Sequence, residues 1–171
     1  MAQLTLDYAK RRAEAGEDVL LVMDSITRLG RAANLEQEGS GRTMSGGVDV
    51  KALQMPKKSF GAARTLDGGG SLTIVGTALI ETNSRMDELI FREFKGTGNM
   101  EIVLDRETAD ARIFPAIDIE GSGTRKEHLL LGPDLVAHQN LRRAIVGQKP
   151  PAGMQQLLGL VAKTKTNAEL L

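Results

Sequence analysis

The 171-residue sequence contains no cysteine. That absence removes disulfides, thiolate nucleophiles and cysteine-based zinc sites, and is compatible with a reducing cytoplasm. Nor is there an excess of charge of one sign: 22 Lys and Arg are matched by 22 Asp and Glu. No overall field steers the chain toward nucleic acid or an anionic membrane, so any contact with a polyanion must come from locally placed cations. No apolar run approaches the roughly 18 residues of a spanning helix, and Met1 to Arg12 lacks the apolar centre of a secretory signal. The expectation is a soluble cytoplasmic protein with no membrane partner. His128 and His138 stand apart without ligand-like neighbours, so neither indicates a metal site. Internal repeats and low-complexity tracts are also absent.

What is present is an ordinary globular composition, 41% apolar and 26% charged, enough for one domain with a sizeable core. Ala2 to Ala15 is rich in helix formers, with Leu4, Tyr8 and Ala15 on one side and Gly16 at its C-terminal end. Val19 to Met23 (VLLVM) is a continuous apolar run of strand length, predicting a strand covered on both faces. Ile26 to Asn34 reads as a short helix presenting Ile26, Leu29 and Ala33, and Glu36 to Gly47 as a mobile loop. Val50 to Ala63 is helical with a break or a new start at Pro56. Ser71 to Ile80 is a second buried strand, followed by the polar turn ETNSR and a helix, MDELIFREF. Met100 to Arg106 and Ala111 to Ile117 read as antiparallel strands around a turn at Glu107 to Asp110, and Pro133 to Leu171 as helical with an interruption at Gly147 to Gly153. Strands alternating with helices point to an open α/β sheet whose chemistry lies at the carboxyl ends of its strands.

VLLVMDS has the form of a Walker B strand, delivering Asp24 to a sheet edge where a carboxylate can hold the hydration shell of a nucleotide-bound Mg²⁺. An Asp in this place can equally cap the following helix. Arg28 and Arg31, three residues apart on that helix, can share a face near a phosphate or a subunit seam. The second strand ends in a turn bearing Thr82, Ser84 and Arg85, either a set of polar contacts at the same sheet edge or a solvated surface turn. GSGRTMSGG sets Arg42, Thr43 and Ser45 among glycines, suited to phosphate contact or simply to a long connection. KGTGN, Lys95 to Asn99, is an anion nest or a helix-to-strand turn, and SGTRK carries Arg125 where it can serve as an arginine finger.

The runs DSITRL, SGGVD, FGAAR, GGSLTI, TALI, MDE, EFKGTGNME, FPAID and SGTRKE, with KTKTN near the C-terminus, resemble in order and spacing the ATPase domain of the bacterial transcription termination factor Rho. The resemblance covers about Asp18 to Lys165. It implies an α/β, RecA-like P-loop NTPase sheet with flanking helices, incomplete on its N-terminal side and closed by a helical segment, residues 1–171 being the C-terminal portion of that domain. Recombinases and rotary ATPase subunits are expected to share little with the chain beyond the Walker B strand.

By the same resemblance Asp24 is the magnesium carboxylate and Arg125 a finger acting on the ATP of an adjacent subunit. Arg112 is similar to a nucleotide-sensing arginine, and Phe114 to an aromatic packed on adenine or serving as a strand core residue. Arg28 and Arg31 match arginines at the intersubunit ATP site. Gln37 to Asp49 (with Arg42, Thr43 and Ser45) and Glu81 to Arg85 (with Thr82, Ser84 and Arg85) correspond to pore loops that contact single-stranded RNA. The family's cofactors are ATP and Mg²⁺, its assembly a homo-hexamer, and its wider partner an RNA polymerase elongation complex. The resemblance thus implies part of an RNA translocase and helicase that terminates transcription. Asn83 departs from the family, which usually has Gly there. No G-x-x-x-x-G-K-[ST] occurs, and the family's catalytic glutamate and N-terminal RNA-binding barrel lie outside the matching region. The expectation is a chain inactive by itself, with a truncated, non-catalytic fragment that associates with intact homologues as the alternative.

Overall fold

A computed structural model describes residues 1–37, 39, 42–44 and 46–171. The chain forms two compact units, Met1–Gly98 and Asn99–Leu171.

The first unit is built on a three-stranded sheet. Helix α1 (Ala2–Glu14) leads into β1 (Asp18–Met23), which pairs in parallel with β5 (Ser71–Gly76); the short β4 (Arg64–Thr65) adds antiparallel on the far side of β5. Between β1 and β4 come α2 (Ile26–Glu36), the strands β2 (Thr43–Met44) and β3 (Val48–Asp49), and α3 (Gln54–Phe60). Pro56 sits in the first turn of α3, where its missing N–H costs nothing. The loop expected from Glu36 to Gly47 therefore contains part of an antiparallel hairpin, β2 against β3. Helix α4 (Arg85–Lys95) completes the unit.

Two cores hold these elements. Leu6, Ala9 and Ala13 of α1 pack on Leu72, with Val19, Leu21 and Ile74 beside them. The buried stripe of α1 is thus not the one expected: Leu4 is 69% and Tyr8 61% exposed. Small alanines let the helix approach the sheet closely, which two larger side chains on another face cannot do. The second core joins Ile26, Val48, Ala52, Leu53, Ile90 and Phe94, and each fully buried aliphatic of this kind contributes roughly 1.5–3 kcal/mol. β1 is covered on one face only. Leu20 and Val22 are 63% and 65% exposed, and Val75 of β5, opposite Val22, is 53% exposed, so coverage on both faces is corrected to one.

In the second unit β6 (Met100–Leu104) pairs antiparallel with β7 (Ile117–Thr124). The expected turn between them holds a short helix, α5 (Arg106–Asp110), because Asp105 caps it by accepting the Thr108 amide at 2.6 Å. Ala111 to Ala116 is not a strand, and the partner of β6 begins only at Ile117. Helices α6 (Glu127–Leu131), α7 (Leu135–Ile145), α8 (Pro150–Val161) and α9 (Asn167–Leu170) follow, with a 3-10 turn at Gly132–Asp134. Gly153 lies inside α8, so the break before that helix covers 146–149 rather than reaching Gly153.

Candidate functional site

Asp24 follows β1 immediately. Met23 is in register with Gly76, so Asp24 and Thr77 are the next pair across the parallel strands. The Thr77 hydroxyl donates to Asp24 Oδ1 at 2.9 Å. The Thr77 amide donates to the Met23 carbonyl at 3.0 Å, and its carbonyl accepts the Ile26 amide at 2.8 Å. The carboxylate is exposed, and the neighbouring strand sets its orientation. Capping of α2 falls to Ser25, whose hydroxyl accepts the Arg28 amide at 3.2 Å, so Asp24 is released from that role. Fully buried Thr27 accepts the Leu79 amide at 2.9 Å, tying the start of α2 to the segment leaving β5.

Arg28 and Arg31 diverge in role. Arg31 makes a bidentate pair with Asp87 of α4, Nε to Oδ1 at 2.8 Å and Nη2 to Oδ2 at 2.6 Å, while the Arg28 side chain is exposed. The Thr82 hydroxyl also donates to Asp87 Oδ2, at 2.6 Å. Asp87 is 1% exposed. Hydrogen bonds from Arg31 hold its carboxyl below the ordinary aspartate value, against the opposing effect of burial and with help from Thr82. The same pair holds the Arg31 guanidinium above its ordinary value.

The turn before α4 is built for an unusual backbone. Glu81 and Asn83 have φ of 56° and 59°. Asn is among the residues that adopt this left-handed region most readily, which explains why it can stand where glycine is usual. Ser84 caps α4 by accepting the Asp87 amide at 3.4 Å, and Arg85 opens the helix, exposed.

The two loops meet at Gly46. A Cβ there would lie 2.9 Å from the carbonyl carbon and oxygen of Arg85, and the backbone has φ of 87°, so only glycine allows this approach. Asn34 of α2 holds the same hairpin: its Nδ2 donates to the Gly47 carbonyl at 3.2 Å and its Oδ1 accepts the Asp49 amide at 2.8 Å. Arg42 and Thr43 lie at the start of the hairpin and are exposed. Ser45 lies outside the described residues. The structure therefore gathers Asp24, Arg31, Thr82, Ser84 and Arg85 through β1, β5, α2 and α4. Thr77, Asp87 and Asn34 were not singled out from sequence. For Thr77 a signal existed, since equal strand lengths in a parallel pair place the first residue after β5 beside Asp24.

KGTGN is the turn that ends α4, the Thr97 and Gly98 amides donating back to the Phe94 carbonyl at 2.8 and 3.3 Å. These amides face the helix rather than an anion.

The second unit carries Arg112, Phe114 and Arg125. Arg112 has φ of 59°, is exposed, and donates its amide to the Ala109 carbonyl at 2.9 Å. Phe114 is 61% exposed and precedes a cis proline bond, so it is a surface aromatic rather than strand core. Arg125 is exposed and follows β7 directly. It lies at the opposite end of the hairpin from Phe114. Thr124 pairs with Met100 and Ile117 with Leu104, four residue steps that span about 13 Å.

The nucleotide-binding domain of the ATP synthase alpha/beta family matches residues 1–124. The chain belongs to this family. The match reaches far past the Walker B strand, so the likeness to this ATPase family is broader than the motifs suggested. Among curated relatives, the transcription termination factors Rho of Streptomyces lividans and Cereibacter sphaeroides are 55% and 54% identical over 172 and 170 residues. The alignments cover 100% and 99% of this chain but 24% and 40% of those proteins. This Rho-like chain corresponds to the C-terminal part of such factors. It spans at most 40% of the length of these two relatives. Among solved structures, a prototypical ATPase of the type III secretion system of pathogenic bacteria is 28% identical with a TM-score of 0.75, over 94% of this chain and 52% of that one. The assembled ATPase EscN of enteropathogenic E. coli matches with a TM-score of 0.63 at 28% identity, over 94% and 43%. The α/β sheet with a helical C-terminal segment is therefore that of an ATPase family. Among the described residues no helix is long and apolar enough to cross a membrane.

Proposed function

We propose that the chain is part of an ATP-driven RNA translocase and helicase, which terminates transcription by pulling nascent RNA through a homo-hexameric ring in the cytoplasm. The observation that carries this reading is the Arg31–Asp87–Thr82 linkage, centred on the buried Asp87 carboxylate. It joins the helix that follows Asp24 to the turn that presents Arg85, so a nucleotide-side element and an RNA-side element share one ion pair.

Asp24 suits a magnesium held through water. It is a single exposed carboxylate at a strand end with one oxygen held by Thr77, and Mg²⁺ in ATPase sites takes one or two carboxylates alongside waters and phosphates. Among the described residues no group of three or more His, Cys, Asp or Glu forms a dedicated cage. When bound, the ion neutralises charge on the ATP phosphates. Phe114 offers its exposed ring to adenine with Arg112 beside it, and Arg28 and Arg31 stand at the subunit seam. Arg125, at the other end of the hairpin, stabilises developing charge on the ATP of the neighbouring subunit. Arg42, Thr43, Ser45, Thr82, Ser84 and Arg85 contact single-stranded RNA, drawn from an RNA polymerase elongation complex. The residues here hold no G-x-x-x-x-G-K-[ST] to cradle the β- and γ-phosphates, so taken alone they do not hydrolyse ATP.

Arg125→Ala in the complete protein is expected to lower RNA-stimulated ATP turnover by about a thousandfold or more while largely sparing ATP binding. Unchanged turnover overturns the assignment. A second reading, a non-catalytic fragment that joins rings of an intact homologue, is favoured by the bare apolar face at Leu20, Val22 and Val75. Co-purification with the intact homologue and loss of its activity would support that reading.

A further inference from the structure

The β6–β7 hairpin is heavily irregular just before Arg125. Between paired positions, Glu101 to Val103 on β6 faces Asp118 to Gly123 on β7, so two residue steps lie opposite five. A bulge of this size removes several backbone groups from the ladder, and each needs another partner.

Side chains supply them. Asp118 Oδ1 accepts the Glu120 and Gly121 amides at 2.9 and 3.0 Å. Ser122 Oγ accepts the Val103 amide at 2.8 Å. The freed carbonyls go to one residue on α7: Arg142 Nη2 donates to the Glu120 carbonyl at 3.1 Å and the Ser122 carbonyl at 2.7 Å. The glycines flanking Ser122 leave room for these side chains. A Cβ at Gly121 would lie 2.5 Å from Asp118 Oδ2, and one at Gly123 would touch the Arg142 guanidinium at 3.4 Å. Among the described residues Arg142 forms no ion pair with a carboxylate, so its charge is directed at these two carbonyls. The chain emerges from the clamp three residues before Arg125, with Thr124 fixed in turn by donating to the Asn99 carbonyl at 2.8 Å.

We infer that Arg142 is a positioning residue for Arg125: by clamping the Glu120–Ser122 bulge it fixes the position and direction in which the finger leaves β7. This rests on Arg125 acting as the finger. An arginine that stabilises charge in a neighbouring subunit must arrive within about an ångström of its place, and an offset of that size costs about a hundredfold in rate. A loose bulge would let it wander.

The test uses the complete Rho-type protein carrying this segment. Arg142→Ala is expected to lower kcat about tenfold or more while ATP KM changes by less than about twofold and the melting temperature is retained. Arg142→Lys, whose ammonium can still donate to both carbonyls, should recover part of the loss. Should Arg142→Ala fail to fold, Arg142→Gln, which keeps one donor nitrogen on a shorter side chain, is read for the same split. A fall in kcat matched by a fall in melting temperature makes Arg142 merely structural and overturns the inference. Unchanged kcat in Arg142→Ala beside an inactive Arg125→Ala overturns the clamp and leaves the finger standing. Full activity in Arg125→Ala removes the finger, and the inference with it.

Discussion

The two units of this chain are packed to different depths. Ten apolar side chains of the first unit are buried, from Leu6 to Phe94, whereas in the second only Ile145 and Met154 reach that state among the described residues. The second unit instead exposes Met100, Ile102 and Leu104 along one side of β6, with Leu129, Leu130 and Val136 on its helices. The first unit is held by apolar burial, the second more by directed polar contacts such as the Asp105 cap and the Arg142 clamp. Cores resist movement, whereas polar clamps set the direction of a few residues without requiring the same depth. The proposed roles follow that division: Asp24 and the Arg31–Asp87 ion pair belong to the packed unit, the finger to the clamped one.

The difference can be broken at its strongest point first. Ile90→Ala is expected to destabilise by about 3–4 kcal/mol in urea unfolding, and Met154→Ala by only about 2, because the second site has fewer packed neighbours to leave around a cavity. Equal losses would mean the two units are packed alike. Asp87→Asn tests the ion pair, with an expected fall in melting temperature of roughly 5 °C near neutral pH. Because the folded carboxyl titrates below its unfolded value, Asp87 contributes stability that is present above about pH 4 and lost as the pH falls through the folded value. The acid slope of stability below about pH 4 should therefore be shallower in Asp87→Asn, as measured by thermal melts across pH. The smallest effect is expected on the bare sheet face, where Leu20→Thr should change stability by less than about 0.5 kcal/mol while reducing self-association in light scattering.

Much of the frame was legible from local pattern. The end of β1 and the helix after ETNSR follow from apolar runs stopped by polar residues, whereas β5 ends at Gly76 rather than at the expected Ile80, and the partner of β6 begins at Ile117 rather than at the expected Ala111. The errors have physical causes. The α1 stripe was misread because Leu4 and Tyr8 weigh heavily in hydropathy while Ala9 and Ala13 count through closeness of approach. β1 read as doubly covered because composition records what a strand is suited to, whereas exposure depends on what packs against it. Contacts across long separations left no local trace: Arg31 and Asp87 are 56 residues apart, and Arg142 reaches back 20 and 22 residues to its carbonyls.

The hydrogen bond from Thr77 to Asp24 makes that carboxylate a gauge of strand register. It spans the two parallel strands just beyond their last paired residues, so a slide of β5 against β1 by one residue, about 3.3 Å, would stretch it past hydrogen-bonding range. Whatever shifts the turn that leaves β5 toward Arg85 therefore acts on Asp24 as shear, through a single hydroxyl.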